Sequence, residues 1–179
     1  PENRLKHFGQ EDHVRIYSIK GLEKRLVDKG FKVEIITFNE ENTDILFKLG
    51  SISNLLYDYK KSEQYLLESI YCGFTSKDIL FELGIAYGGQ KKYLQALLSL
   101  KEALNYSLED PILHYQLGII YNEMEIFDLA KNEFKHYINH IKNDPISFRL
   151  LGDCYAQLNE FEQSIIYYRR IICFFYFFH

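Results

Sequence analysis

The side chains able to do chemistry are few and poorly grouped. His136 and His140 stand one helical turn apart, a spacing at which two imidazoles can share a metal ion. The residue after His136 is Tyr137 and not glutamate, so the pair lacks the general base of a helical zinc protease. Polar positions on a solvated helix face account for both. His114 falls in a segment that reads as a packed helix, where packing explains it better than catalysis. Cys72, Cys154 and Cys173 are an odd number at wide spacing and form neither a disulfide framework nor a zinc motif. We expect them to be buried, reduced thiols of a cytoplasmic protein. No nucleophile elbow, phosphate-binding loop or pair of facing carboxylates stands out. The residues therefore imply no metal, no cofactor and no enzymatic reaction in the chain as given.

The elements that would have to position a site are better marked. Leu-Gly recurs at Leu49-Gly50, Leu83-Gly84, Leu117-Gly118 and Leu151-Gly152, with the glycines 34 residues apart each time. A fixed period of this length is the mark of a repeat architecture. The units are 43–76, 77–110, 111–144 and 145–178. The residues just before them, Asn42, Ser76, Asp110 and Asp144, are all strong N-caps. Pro111 and Pro145 follow two of these caps, at the favoured proline position of a helix start. Each unit is expected to open with a helix. A glycine inside that helix costs up to about 1 kcal/mol against alanine, so its recurrence predicts a second helix lying against it.

Twelve residues beyond each glycine stands a small residue: Ser62, Ala96, Ala130 and Ser164. We expect glycine to face that small residue across two closely packed antiparallel helices. An aromatic at Tyr59, Tyr93, Phe127 and Phe161 marks the start of the second helix. Bulky Leu66, Leu100, Phe134 and Tyr168 and aliphatic Ile70, Leu104, Ile138 and Ile172 complete its apolar face. Tyr137, where Ala103 stands in the second unit, is expected to wedge the third and fourth units apart.

Composition agrees with helices joined by short turns. Of 179 residues, 47% are hydrophobic and 26% charged, and only three are proline. Fifteen Tyr and fourteen Phe against no Trp put much of the core on aromatic rings. A net charge of −4 argues against nucleic acid, which favours a basic face. No signal peptide is visible, and the apolar run from Ile171 to Phe178 falls short of the roughly 20 residues that cross a bilayer. No membrane partner is expected.

The 34-residue helix-turn-helix with Leu-Gly, then Tyr87, Tyr121 and Tyr155 three residues on, then a small and a bulky residue, resembles the tetratricopeptide (TPR) repeat. The resemblance covers residues 43 to about 178. It departs at Ser53, where the tyrosine belongs, and at Leu46 and Leu80, which stand in for the usual tryptophan. It implies a mainly α protein, a TPR-type solenoid of four repeats whose first helices line a concave face. The groove positions it implies include Phe47 and Asn54 in the first unit, Phe81 and Ile85 in the second, Tyr115, Ile119 and Asn122 in the third, and Arg149 and Asp153 in the fourth. Asp44, Asp78, Gly88, Gly89, Ile112 and Ile146 occupy further groove positions. Phe47, Phe81 and Tyr115 would form an aromatic ladder there. Ser51, Ile85, Ile119 and Asp153 fail to match a carboxylate clamp, so an extended or helical peptide with apolar anchors fits better.

Residues 1–42 differ. His13 to Tyr17 is β-rich, Gly21 to Gly30 has helical spacing, and Phe31 to Ile36 alternates as a strand would. Phe8 to Ser18, with Asp12, His13, Val14 and Arg15 as its distinctive core, and then Lys29 to Ile36, resemble the closing segment of bacterial class I methyltransferases that use S-adenosylmethionine. That implies a short β-α-β remnant of an α/β domain, with any catalytic core upstream, because no glycine-rich cofactor loop is present. The chain opens on Pro1 and stops within an aromatic run, and we expect a piece of something longer. Cys173 to Phe178 does not read as a solvated cap. Either more chain follows, which we favour, or the run folds back over the last groove.

The expected function is a scaffold that holds a protein or peptide partner. The alternative is a module that positions the substrate of a larger methyltransferase. A third reading is structural, with the array associating with itself through its uncapped end.

Overall fold

The computed structural model describes residues 40–178. Eight helices run through them: α1 (Glu40–Leu55), α2 (Tyr59–Tyr71), α3 (Lys77–Gly89), α4 (Tyr93–Leu104), α5 (Pro111–Glu123), α6 (Phe127–His140), α7 (Pro145–Gln157) and α8 (Phe161–Phe178). The expected β-α-β segment lies outside the described residues.

Local chemistry sets the starts of α3, α5 and α7. Ser76 accepts from the Ile79 amide at 3.3 Å, Asp110 from Ile112 at 3.0 Å and Asp144 from Ile146 at 3.0 Å. Each satisfies an amide that a first turn leaves without an intrahelical partner. Asn42 does not cap. The first helix is already under way at Glu40, so Asn42 falls inside it. The second helices begin at Tyr59, Tyr93, Phe127 and Phe161, as the aromatic spacing predicts.

Between the helices of a unit the chain reverses through one residue in the left-handed region. These are Tyr57 (φ 59°), Lys91 (φ 62°), Glu125 (φ 60°) and Asn159 (φ 62°), again at the repeat interval. The amide of the next residue then reaches back to a carbonyl near the helix end: Asp58 to Ser53 and Lys92 to Tyr87, both at 2.9 Å, with Ile126 to Tyr121 and Glu160 to Tyr155 alike. This is the Schellman closure, which satisfies carbonyls that a helix C-terminus would otherwise leave unpaired.

The helices stack as an all-α, TPR-like solenoid. Each first helix packs on the second helix of its own unit and on that of the unit before, while α1 touches α3 and α3 touches α5. Leu100, Leu113, Leu117, Phe134 and Leu151 are at most 1% exposed. Burying one such side chain contributes roughly 1.5–3 kcal/mol, so the stack, not helix propensity, holds the elements.

Two expectations about packing need correction. The glycines do not sit against the small residues. A β-carbon on Gly50, Gly84, Gly118 or Gly152 would meet Leu66, Leu100, Phe134 or Tyr168 within 2.6–2.7 Å. The bulky residue sixteen positions on fills the space that glycine leaves. Ser62, Ala96, Ala130 and Ser164 are buried as well, one turn earlier on the same stripe. Nor does Tyr137, which lies between the third and fourth units, wedge them apart: α6 packs on α7 as closely as α2 packs on α3. The tyrosine is buried, its ring 5.0 Å from that of Tyr115, and its hydroxyl hydrogen-bonds at the head of α7 with Asp144 and Ser147. Ser147 is fully buried, and its small side chain leaves room for the tyrosine.

Residues from Ile171 onward extend α8 to Phe178, so the aromatic run does not fold back over a groove. Ile165, Ile172 and Tyr176 on this last helix are exposed.

Candidate functional site

The first helices of the units carry the groove positions. Phe47, Phe81 and Tyr115 repeat every 34 residues and are all half-buried. Phe47 rests on Leu66, Ile79 and Leu83, while Phe81, Tyr115 and Ile119 pack against the main core. The ring of Tyr115 meets Phe134 at 6.0 Å and Tyr137 at 5.0 Å, so much of it serves packing. Burial pushes its phenol above the ordinary tyrosine value. Ile85 is half-buried on α3.

The polar groove positions are engaged within the chain. Asn54 is buried, and its Nδ2 donates to the Glu82 carbonyl at 2.8 Å and to Glu82 Oε2 at 2.7 Å, bracing α1 to α3. Asn122 Oδ1 accepts from Cys154 Sγ at 3.6 Å. Arg149 pairs with Asp153 at 3.2 Å on exposed α7 surface, and Asp153 also accepts from the Tyr168 hydroxyl at 2.6 Å. Gly88 and Gly89 are packing glycines: a β-carbon would strike Ile120 at 2.7 Å on the first and the Tyr59 ring at 2.3 Å on the second.

This face carries a recess among the described residues. Between the N-terminal turns of α3 and α5 a recess of about 200 Å³ is lined by Lys77, Asp78, Phe81, Asp110, Ile112 and Leu113. Phe81, Asp78 and Ile112 are groove positions that the repeat register places together. Lys77, Asp110 and Leu113 were not foreseen, although a lysine after one cap and an aspartate at the next signal an ion pair between units. Lys77 Nζ lies 2.7 Å from Asp110 Oδ2. Partial burial pushes the Asp110 carboxyl up. The Lys77 hydrogen bond and the amides of Ile112 and Leu113 outweigh it and hold the group below its ordinary value. The same bond raises Lys77. Ile112 is 43% exposed and Asp78 is exposed on the rim. Such a recess can seat one apolar side chain on Phe81 and Ile112, with the Asp78 carboxylate open to a donor.

The catalytic and metal candidates do not assemble. His114 Nδ1 lies 2.6 Å from Glu133 Oε2, and its ring stacks on His136 at 4.8 Å, a packing role. His136 and His140 are exposed. Among the described residues no group of three or more His, Cys, Asp or Glu is placed to hold a metal. Cys154 is buried, its thiol pushed up to about 11 mainly by desolvation. Cys72 is half-buried and Cys173 exposed, against the expectation of three buried thiols. Cys173 lies on the extended end of α8, where no later helix of the described chain covers it. No helix among the described residues is long and apolar enough to cross a membrane.

The comparisons with known proteins agree with this architecture. The family described as tetratricopeptide repeat matches residues 150–172, which span Leu151-Gly152 and most of α8. Nothing among the curated proteins matches the chain in sequence. A crystal structure of MamA is 17% identical over 87% of this chain and 85% of that one, with a TM-score of 0.69. A MamA RS-1 ArsTM double mutant is 14% identical over 76% of each chain, with a TM-score of 0.70. YrrB, described as a TPR protein with an unusual peptide-binding site, is 17% identical over 74% of this chain and 68% of that one, with a TM-score of 0.66. At these identities the likeness speaks for the backbone arrangement, and the chain has a TPR-type helical-repeat fold.

Proposed function

We propose that the chain is a scaffold that holds a segment of another protein along the face of its first helices. Phe47, Phe81, Ile85, Tyr115 and Ile119 supply apolar contact, and the polar positions Asn122, Arg149 and Asp153 set the edges, with Asn54 turned inward onto Glu82 beneath them. The observation that carries this reading is the recess between α3 and α5, where half-buried Phe81, exposed Ile112 and the Asp78 carboxylate converge. Grooves that combine apolar anchors with a few polar groups are a common way to read peptides. The fold shared with YrrB supports the same reading, since that protein is described as having a peptide-binding site. The scaffold would work in the cytoplasm, on a protein or peptide and without nucleic acid, membrane or metal.

The test is a peptide selected from a random library for binding to the chain. Replacing Ile112 by Ala and Asp78 by Lys should weaken that peptide about tenfold or more, as loss of a central anchor does. Unchanged binding by both variants would contradict the reading. The resemblance around Asp12 to Arg15 favours a second role, positioning the substrate of an attached methyltransferase. Methyl transfer assayed with the natural protein, with and without residues 43–178, separates the two.

A further inference from the structure

A second concavity opens where α8 runs past the loop joining α6 to α7. Its volume is about 540 Å³, with Phe148 and Ile166 among its lining and Lys142, Arg169, Arg170 and Cys173 around them. None of the groove positions of the first helices lines it. Ion pairing is uneven among the described residues. Lys48, Lys61, Lys77, Lys92, Lys131 and Arg149 each hold a carboxylate. Lys142 and Arg169 make no ion pair among the described residues, and Lys60, Lys91, Lys101 and Lys135, which lie away from this hollow, also make none. The Arg170 guanidinium lies over the rings of Phe148 and Tyr167 at 5.7 and 5.2 Å, which orients it without neutralising it. Asp144, close to Lys142 in sequence, has its oxygens occupied by the Ile146 amide and the Ser147 hydroxyl. A chain of net charge −4 thus gathers three cations with no carboxylate between them at the mouth of one apolar hollow.

We propose that this hollow binds a protein segment whose apolar anchor residue is flanked by carboxylates, separately from the first-helix face. The volume suits one or two large side chains. Ile166 is 44% exposed and offers the apolar surface, with buried Phe148 closing the base beneath Arg170, while three cations can receive carboxylates in the geometry for which arginine is suited. A free inorganic anion would leave the apolar floor unused. A bilayer surface is planar and would not enter the hollow, whereas a side chain projecting from a peptide can.

The probe is a short synthetic peptide in which Leu and Phe alternate with Glu, labelled with a fluorophore and added to the full chain. Two readouts run together: fluorescence anisotropy, and the rate at which iodoacetamide alkylates exposed Cys173. The peptide should bind, bind less well as salt rises, and slow alkylation of Cys173. The double variant Lys142→Glu, Arg169→Glu should bind about tenfold more weakly. Both side chains are exposed, so its helical circular dichroism should be unchanged. A peptide with Gln for each Glu should bind poorly, and so should one with Gly for Leu and Phe. Equal binding of the Gln peptide, unprotected Cys173, or undiminished binding by the folded charge-reversed variant would each overturn the proposal. So would protection of Cys173 by phosphatidylserine vesicles in the absence of protection by the peptide.

Discussion

A β-carbon built on Gly118 would lie 2.6 Å from Cε1 of Phe134, whose ring has no solvent exposure. The ring has little room to yield, because it is fully buried in the core that also holds Leu113, Leu117 and Ala130. Gly118→Ala should therefore destabilise the chain by about 1–3 kcal/mol, overpacking exceeding the helix propensity gained. At Gly152 the neighbour is Tyr168, which is only half-buried and can turn outward, so Gly152→Ala should cost less. Urea unfolding of the two variants checks the order. Equal costs would mean that the glycines answer to something other than the bulky partner.

The left-handed turns make a prediction of opposite sign. Glu125 holds φ at 60°, where a β-carbon costs roughly 1–2 kcal/mol and glycine costs nothing. Part of that gain is lost to the greater freedom of glycine in the unfolded chain. Glu125→Gly and Lys91→Gly should each raise stability by about 0.5–1 kcal/mol, whereas Asn159→Gly should change little, because asparagine tolerates this region. Midpoints of chemical unfolding read the difference directly.

Much of the fold is legible in the sequence because its signals are local. Ser76, Asp110 and Asp144 cap helices by hydrogen bonds within three residues, and the aromatics at Tyr59, Tyr93, Phe127 and Phe161 begin amphipathic stripes. The partner of each glycine is a different kind of fact. Residues twelve and sixteen positions after the glycine share one stripe, a helical turn apart. Which of them comes level with the glycine depends on how far the antiparallel helix slides, and spacing does not encode that. The left-handed turns were hidden because Tyr57, Lys91 and Glu125 are not turn formers; the closing hydrogen bonds impose the conformation on them. Of the groove positions that the repeat register implies, Phe81, Asp78 and Ile112 line one recess, whereas Asn54 turns inward to brace Glu82, which spacing does not encode.

The Lys77–Asp110 pair beside the recess sets a pH dependence. The Asp110 carboxyl is held below its ordinary value, so it binds a proton less readily folded than unfolded. The stability it adds is complete above about pH 4 and is lost as pH falls through the lower, folded value. Lys77 is shifted upward, so its share is complete below about pH 10 and is lost as pH rises past the folded value. With the lysine side chain 37% exposed, the contribution is screened. Lys77→Met should cost about 0.5–1 kcal/mol at pH 7, and the gap to the parent chain should close near pH 2. A gap of constant size across that range would show that the loss comes from packing.

Asn54 tests the brace between the first two units. Its amide makes two hydrogen bonds to Glu82 while buried, so Asn54→Ala leaves the Glu82 acceptors to find water in a crowded place. The variant should lose about 1–3 kcal/mol, with early hydrogen exchange in α1 and unchanged protection in α6. Uniform loss of protection across the helices would contradict a local role.

The claim that a partner segment lies along the first helices is tested most directly by photo-crosslinking. A photoreactive residue is placed at Asp78 or Ile112 on the recess, and at Leu98 on the exposed part of α4. With the library-selected peptide bound, the account predicts crosslinks from positions 78 and 112 and none from position 98. Crosslinks from position 98 alone, at saturating peptide, would contradict it.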